Sequence, residues 1–180
     1  MNARQAETVE KLLVAAAEEL REVGHEAVTI RNVARRAGVS PATAYTYLAS
    51  RNHLFAELFW RALVEDPGVT PTGDNPVERV QSVTRHLATL MEGKPELAAA
   101  VTTALLGSDP DVERLRLRIG GEFARRFSAA MGEPLDRAVL ETLTLAFSGA
   151  LLQAGMGLMS YTEVAQRLDS VVAVIMKGHP

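Results

Sequence analysis

The 180-residue sequence predicts an all-α protein, with an N-terminal three-helix, helix-turn-helix head joined to a larger helical body. Three observations carry this expectation. Apolar residues recur at three- and four-residue spacing along most of the chain, and no segment alternates as a half-buried strand would. Cap-type residues precede proline at Asn75-Pro76 and Asp109-Pro110, the punctuation of helix starts. Hydrophobic residues make up 47% of the chain but aromatics only 5%, which suits an aliphatic, helix-packed interior and not disorder.

The first helix is expected over residues 7–23, burying Leu12, Leu13, Ala16 and Leu20, with Gly24 just past its end. Thr29 is placed to cap the second helix by accepting from the free N–H of Arg31 or Asn32. Ile30, Val33, Ala34 and Ala37 form its buried face, leaving Arg31, Arg35 and Arg36 toward solvent or a polyanion. Gly38 follows the last turn, where a left-handed backbone costs glycine little. Val39 plugs the turn into the core, Ser40 caps the third helix, and Pro41 fits its first position.

That third helix is about two turns long by its apolar pattern. Its small residues Ala42, Thr43 and Ala44 would let it sink into a DNA major groove and meet base edges or thymine methyls. Tyr45 and Tyr47 lie on different faces, so at least one should offer its hydroxyl to a phosphate. Ser50 caps a fourth helix over residues 51–64, with Leu54, Phe55, Leu58, Phe59 and Leu63 apolar. Arg51 stands at its start, where guanidinium and helix dipole can act on one phosphate.

Residues 65–75, EDPGVTPTGDN, have no periodicity and read as the linker. The head is therefore taken as residues 1–64 and the body as 65–180. Body helices are expected at 76–92, 95–106, 110–131, 134–159 and 162–177, with Gly120-Gly121 bending or splitting the third of these.

Charge is distributed unevenly. Residues 1–54 carry seven Lys/Arg and six Asp/Glu, all six acids lying between Glu7 and Glu26; the rest of the chain carries twelve and sixteen. From Ala27 to Leu54 there are four arginines (Arg31, Arg35, Arg36, Arg51) and no acid. An overall charge of −3 is thus compatible with one face steered to DNA.

Absence of cysteine excludes disulfides, thiolate metal sites and cysteine nucleophiles. His25, His53, His86 and His179 are scattered, in no metal-binding or triad-like setting, and His179 falls in the terminal tail. Gly155-x-Gly157 follows a helix and not a strand, which fails the dinucleotide-binding context. No enzyme, cofactor or metal is expected. The N-terminus lacks an apolar signal core and no run approaches 18 uninterrupted apolar residues, so a cytoplasmic location without membrane contact is expected.

The head resembles that of TetR/AcrR-family transcriptional regulators over residues 7–60. Their pattern runs T-[IV]-x-x-[IV]-A-x-x-A-G-V-S, then a short helix ending Y-x-[YH]-F, then Lys and an acid. Thr29, Ile30, Val33, Ala34, Ala37, Gly38, Val39, Ser40, Tyr45 and Tyr47 match it in order. The chain departs at Ala42 (usually Gly), Leu48 (usually Phe) and Arg51-Asn52 (usually Lys and an acid). The reading and the resemblance together make Thr29, Arg31, Ser40, Pro41, Ala42, Thr43, Ala44, Tyr45, Tyr47 and Arg51 the candidate DNA contacts.

In the last two helices the apolar residues outnumber a single stripe, so a second face should be buried against another copy of the chain. Leu145, Gly149, Leu152, Val164, Leu168, Val171 and Ile175 are the candidate interface. The resemblance implies the same homodimer, joined through its last two helices. It also implies a pocket for a small, apolar inducer, and Leu87, Leu90, Met91, Val101, Leu105, Ile119, Phe123, Phe127 and Phe147 are candidate lining residues. The pattern after Val77, notably residues 164–169 (VAQRLD), resembles KstR-type lipid-catabolism repressors, whose inducers are acyl-CoA thioesters. Arg114, Arg116, Arg118, Arg125 and Arg126 are then candidates for CoA phosphates, beside the simpler reading of a solvated helix face.

The expected function is a ligand-responsive repressor that binds a palindromic double-stranded operator as a homodimer. The alternative is a lipid-binding helical protein whose head no longer binds DNA.

Overall fold

The computed structural model describes residues 3–177, so His179 lies outside the described residues. Nine helices follow one another among these residues: α1 Ala3–Ala27, α2 Ile30–Arg36, α3 Pro41–Tyr47, α4 Arg51–Glu65, α5 Pro76–Glu92, α6 Pro95–Leu105, α7 Pro110–Met131, α8 Arg137–Gly155 and α9 Tyr161–Ile175. They pack as two units. One comprises the described residues up to Glu65 with Glu96–Arg116; the other comprises Asp66–Pro95 with the residues from Leu117 onward. The sequence reading kept residues 96–116 with the body. Their packing places them with the head, because Leu97, Ala100 and Ala104 of α6 join its core.

In the first unit α1 buries Leu12, Leu13, Ala16 and Leu20 against Ile30, Val33 and Ala34 of α2 and Leu54, Phe55 and Leu58 of α4. Each such large side chain contributes about 1.5–3 kcal/mol on leaving water. Helical geometry in α1 breaks at Gly24, whose φ of 71° and ψ of 164° only glycine adopts cheaply, so the regular helix ends at Val23 as expected. A smaller cluster of Ala56, Val112 and Leu115, with Trp60 and Leu105 against it, joins α4 to the first turns of α7.

In the second unit α9 packs on α5 and α8. Val80, Val83, Leu87 and Met91 of α5 are buried at helical spacing, as are Val164, Leu168 and Val172 of α9. Gln81 donates to the Asp169 carbonyl at 2.8 Å and Arg85 reaches the Asp169 carboxylate at 2.6 Å, fixing α5 against α9. Phe147 of α8 meets Phe123 and Phe127 of α7 edge to face, with ring centroids 5.0 and 5.3 Å away.

Three expected boundaries shift. Gly120-Gly121 neither breaks nor splits α7, which is continuous from Pro110 to Met131. α8 begins at Arg137 and not Pro134, because Asp136 accepts from the N–H groups of Ala138 and Val139. It ends at Gly155 and not Met159, because Gly157 turns left-handed at φ 75° and Leu158 donates back to the Gln153 carbonyl. α8 is also the one described helix long and apolar enough, by length and composition, to cross a membrane. Its Val139, Leu143 and Phe147 nevertheless sit in the core of the second unit.

Candidate nucleic-acid interface

The head's exposed surface is positioned by caps that close in sequence order. The Thr29 hydroxyl accepts from Asn32 N–H at 3.1 Å and starts α2. Gly38, at φ 67°, turns the chain so that the Val39 N–H donates to the Ala34 carbonyl and its side chain rests on the core. The Ser40 hydroxyl then accepts from Thr43 N–H at 3.1 Å and starts α3, with Pro41 in its first turn. Ser50 Oγ accepts from His53 N–H at 2.9 Å and starts α4.

The expected DNA contacts divide by burial. Thr29, Arg31, Ser40, Pro41, Ala42, Tyr45 and Arg51 are exposed, and Thr43 and Tyr47 are half-buried. Ala44 is wholly buried in the core with Leu48, so it holds α3 down and cannot meet a base. The two tyrosines behave differently. Tyr45 is 49% exposed. Tyr47 packs its ring against the core while also lining a surface cleft. The replacement of the usual Phe by Leu48 is a core substitution, since Leu48 is fully buried.

The cationic set is smaller than the local sequence suggests. Arg36 points back to α1, where Nε bonds Glu19 at 2.8 Å and the guanidinium is also paired with Glu22. That hydrogen bond and charge hold the Glu22 carboxyl below its ordinary value. Arg36 is therefore a fold-holding residue. Arg31 and Arg35 have no acidic partner among the described residues. Arg51 donates through one nitrogen to the Glu26 carbonyl at 3.0 Å, which ties the start of α4 to the end of α1.

Beside α3 lies an open cleft of about 370 Å³, lined by Arg4, Gln5 and Thr8 of α1 and by Val39, Ser40, Thr43 and Tyr47. Sequence reasoning missed Arg4, Gln5 and Thr8. They are more than thirty positions before α3, and nothing local in the sequence brings them there.

Of the expected body residues, Leu87, Met91, Ile119, Phe123, Phe127 and Phe147 are buried in the second unit and Leu90 is half-buried there. Val101 and Leu105 belong to the first unit, where Leu105 packs on Val112 and Leu115, and are dropped from the pocket set. Among the expected interface residues, Leu145 is 68% exposed, Val171 is exposed, and Gly149, Leu152 and Ile175 are half-buried. Val164 and Leu168 are corrected: both are buried in their own unit and offer nothing to a second copy.

The arginine row of α7 is largely engaged. Arg114 pairs with Asp111, Arg116 donates to the Gly107 carbonyl at 2.7 Å, and Arg125 pairs with Glu122 at 2.6 Å. Arg126, itself buried, bridges Asp66 at 2.6 Å and Glu122 at 2.8 Å, and His86 Nε2 completes the cluster 2.9 Å from Asp66. This is a buried structural network that ties the linker's first residues to α5 and α7. It is no seat for a ligand phosphate, because carboxylates already fill it.

A capped helix-turn-helix whose second helix stands on an acid-free surface defines the class: a helix-turn-helix transcriptional regulator. Residues 12–58 match the model for bacterial regulatory proteins of the tetR family. The chain is 46% identical over 179 residues to an uncharacterised HTH-type transcriptional regulator of Mycobacterium tuberculosis H37Rv, covering 98% of this chain and 84% of that one. It is 31% identical over 159 residues to the HTH-type transcriptional repressor KstR of Rhodococcus jostii, covering 85% of this chain and 75% of KstR. The fold also matches Thermus thermophilus FadR, a TetR-family repressor crystallised with lauroyl-CoA. The TM-score is 0.68 at 21% identity, over 95% of this chain and 94% of that one. The chain belongs to the tetR family of bacterial regulatory proteins.

Proposed function

We propose that this regulator is a cytoplasmic repressor that binds a palindromic operator as a homodimer and leaves it when a small apolar or acyl-CoA-like ligand enters the body. The observation that carries the DNA reading is the exposed surface of Pro41, Ala42, Thr43 and Tyr45 beside Arg31 and Arg35, held by two successive hydroxyl caps. Pro41, Ala42 and Thr43 choose bases with Arg31. Tyr45, Thr29, Ser40, Tyr47 and Arg51 set register on phosphates.

The homodimer reading draws on the outer apolar faces of α8 and α9, where Leu145 and Val174 are 68% and 74% exposed. Two heads joined there read half-sites about one helical turn apart. For the ligand, support comes from the aromatic cluster of Phe123, Phe127 and Phe147 in an otherwise aliphatic unit, and from the lauroyl-CoA in the FadR relative of like fold. Ligand and operator then oppose each other through one coupling free energy, so each weakens the other by the same factor.

The test is a footprint and gel shift on the chain's own upstream region at low salt, with Tyr45→Ala beside wild type. Protection that Tyr45→Ala loses, and that lauroyl-CoA reverses, supports the whole reading. Absence of protection would sink it in favour of a lipid-binding protein with an inactive head.

A further inference from the structure

The cleft beside α3 draws three side chains of α1 into the surface that faces DNA. Its lining combines the Arg4 guanidinium and the Gln5 amide with the hydroxyls of Thr8, Ser40, Thr43 and Tyr47, and contains no acid. Glu7, the nearest acid along α1, is tied to Lys11 at 2.7 Å. The hydroxyls of Ser40 and Thr43 lie 2.8 Å apart and share one hydrogen, so whichever donates, the other keeps a hydrogen for an outside acceptor. Thr8 donates its own hydrogen to the Arg4 carbonyl at 2.9 Å, which steadies the turn that presents Arg4. Leu12, Leu13 and Ala16, buried one and two turns further on, hold that turn in place. A cationic, donor-rich and acid-free cleft suits an oxyanion, and its position decides which one.

We infer that this cleft seats one phosphodiester of the operator backbone, next to the groove entered by α3, with Arg4 as its charge and Tyr47 and the Ser40–Thr43 pair as neutral donors. The inference rests on the DNA-binding reading above. It adds α1 to the footprint and gives Tyr47, whose ring is bound into the core, a fixed phosphate partner. Arg4 then contributes affinity without sequence choice, because a phosphate is the same at every base pair.

The experiment measures binding of the full chain to two labelled duplexes, one from its own upstream region and one of random sequence, across a salt series. Arg4→Ala should weaken both roughly three- to tenfold at low salt and lower the slope of log affinity against log salt by about one. Arg4→Lys should restore the slope, and unchanged thermal unfolding of both variants should exclude a folding defect. A scan of neutral methylphosphonate linkages should find one position that weakens wild type and leaves Arg4→Ala unaffected. If Tyr45→Ala weakens binding while Arg4→Ala matches wild type in affinity and slope, the cleft assignment falls and the DNA reading stands. If wild type binds neither duplex, both fall.

Discussion

Ser50 donates its hydroxyl to the Asp109 carboxylate at 2.5 Å, so the residue that caps α4 is held by the residue that opens α7. The two stand 59 positions apart and both lie in the first unit. The hydrogen bond from Ser50 is the main cause that keeps the Asp109 carboxyl below its ordinary value. Ser50→Ala removes a cap and a charge-assisted hydrogen bond together, and should cost roughly 1–3 kcal/mol in urea unfolding. Since the folded carboxyl titrates lower than the unfolded one, its contribution is complete above about pH 4 and is lost as pH falls through the folded value. Asp109→Asn should therefore flatten the acid limb of stability while losing less at neutral pH than Ser50→Ala does.

The buried cluster of Asp66, His86, Glu122 and Arg126 predicts a larger loss. Burial opposes the Asp66 charge, yet hydrogen bonds from Arg126 and His86 outweigh it and hold the carboxyl low. Arg126→Met leaves Asp66 and Glu122 facing each other without their cation, a change that typically costs about 3–5 kcal/mol. Adding Asp66→Asn and Glu122→Gln should recover part of that loss, because the remaining groups are neutral. Chemical unfolding of the three variants checks it; an Arg126→Met variant as stable as wild type would contradict the network.

Local features of the head were readable in the sequence because their partners are close in sequence. Thr29, Gly38, Ser40 and Pro41 act within four residues of themselves, and so does Asn75 at α5. Arg36 was not readable. Its partner Glu19 is 17 positions away on α1, so an acid-free segment was counted as wholly cationic. Ala44 failed for a related reason: a small residue suits both a groove and a tight core, and the packing of Leu48 and Leu54 decides for the core. On α9, Val164 and Leu168 belong to the inner stripe. The outward set begins one position before Val172, at Val171, and periodicity alone does not say which stripe meets α5.

The arginines of α2 should separate in a salt series on DNA. Arg31→Ala and Arg35→Ala remove cations that have no acidic partner among the described residues, and each should lower the salt slope by about one where it meets a phosphate. Arg36→Ala should leave the slope unchanged and lower thermal stability instead, since it strands buried Glu19. A fall in slope for Arg36→Ala, with stability intact, would place Arg36 on the DNA.

The outer apolar face of the last two helices predicts the oligomeric state. Leu145→Glu or Val174→Glu puts a charge where a second copy would bury it, and light scattering should show a shift from dimer to monomer. Val164→Glu, by contrast, should unfold the second unit, because Val164 is fully buried within it. A dimer that survives both surface changes would put the interface elsewhere.

Ala42 and Ala44 sit two positions apart on α3 and should answer substitution in opposite ways. Ala44 has no accessible surface, and Ala44→Leu forces extra methyl groups between Ile30, Val33 and Leu54, costing about 1–3 kcal/mol or more. Its DNA affinity should fall on every sequence alike, in proportion to the folded fraction. Ala42 is exposed at the start of the same helix, so Ala42→Gly should change stability by no more than about 1 kcal/mol. That substitution removes the methyl group that would meet a base edge, so its effect should depend on the base pair beneath it. A selection from a randomised duplex library, run with both variants and normalised to folded protein, separates the cases. A changed base preference with Ala44→Leu and none with Ala42→Gly would reverse the assignment of the two faces of α3.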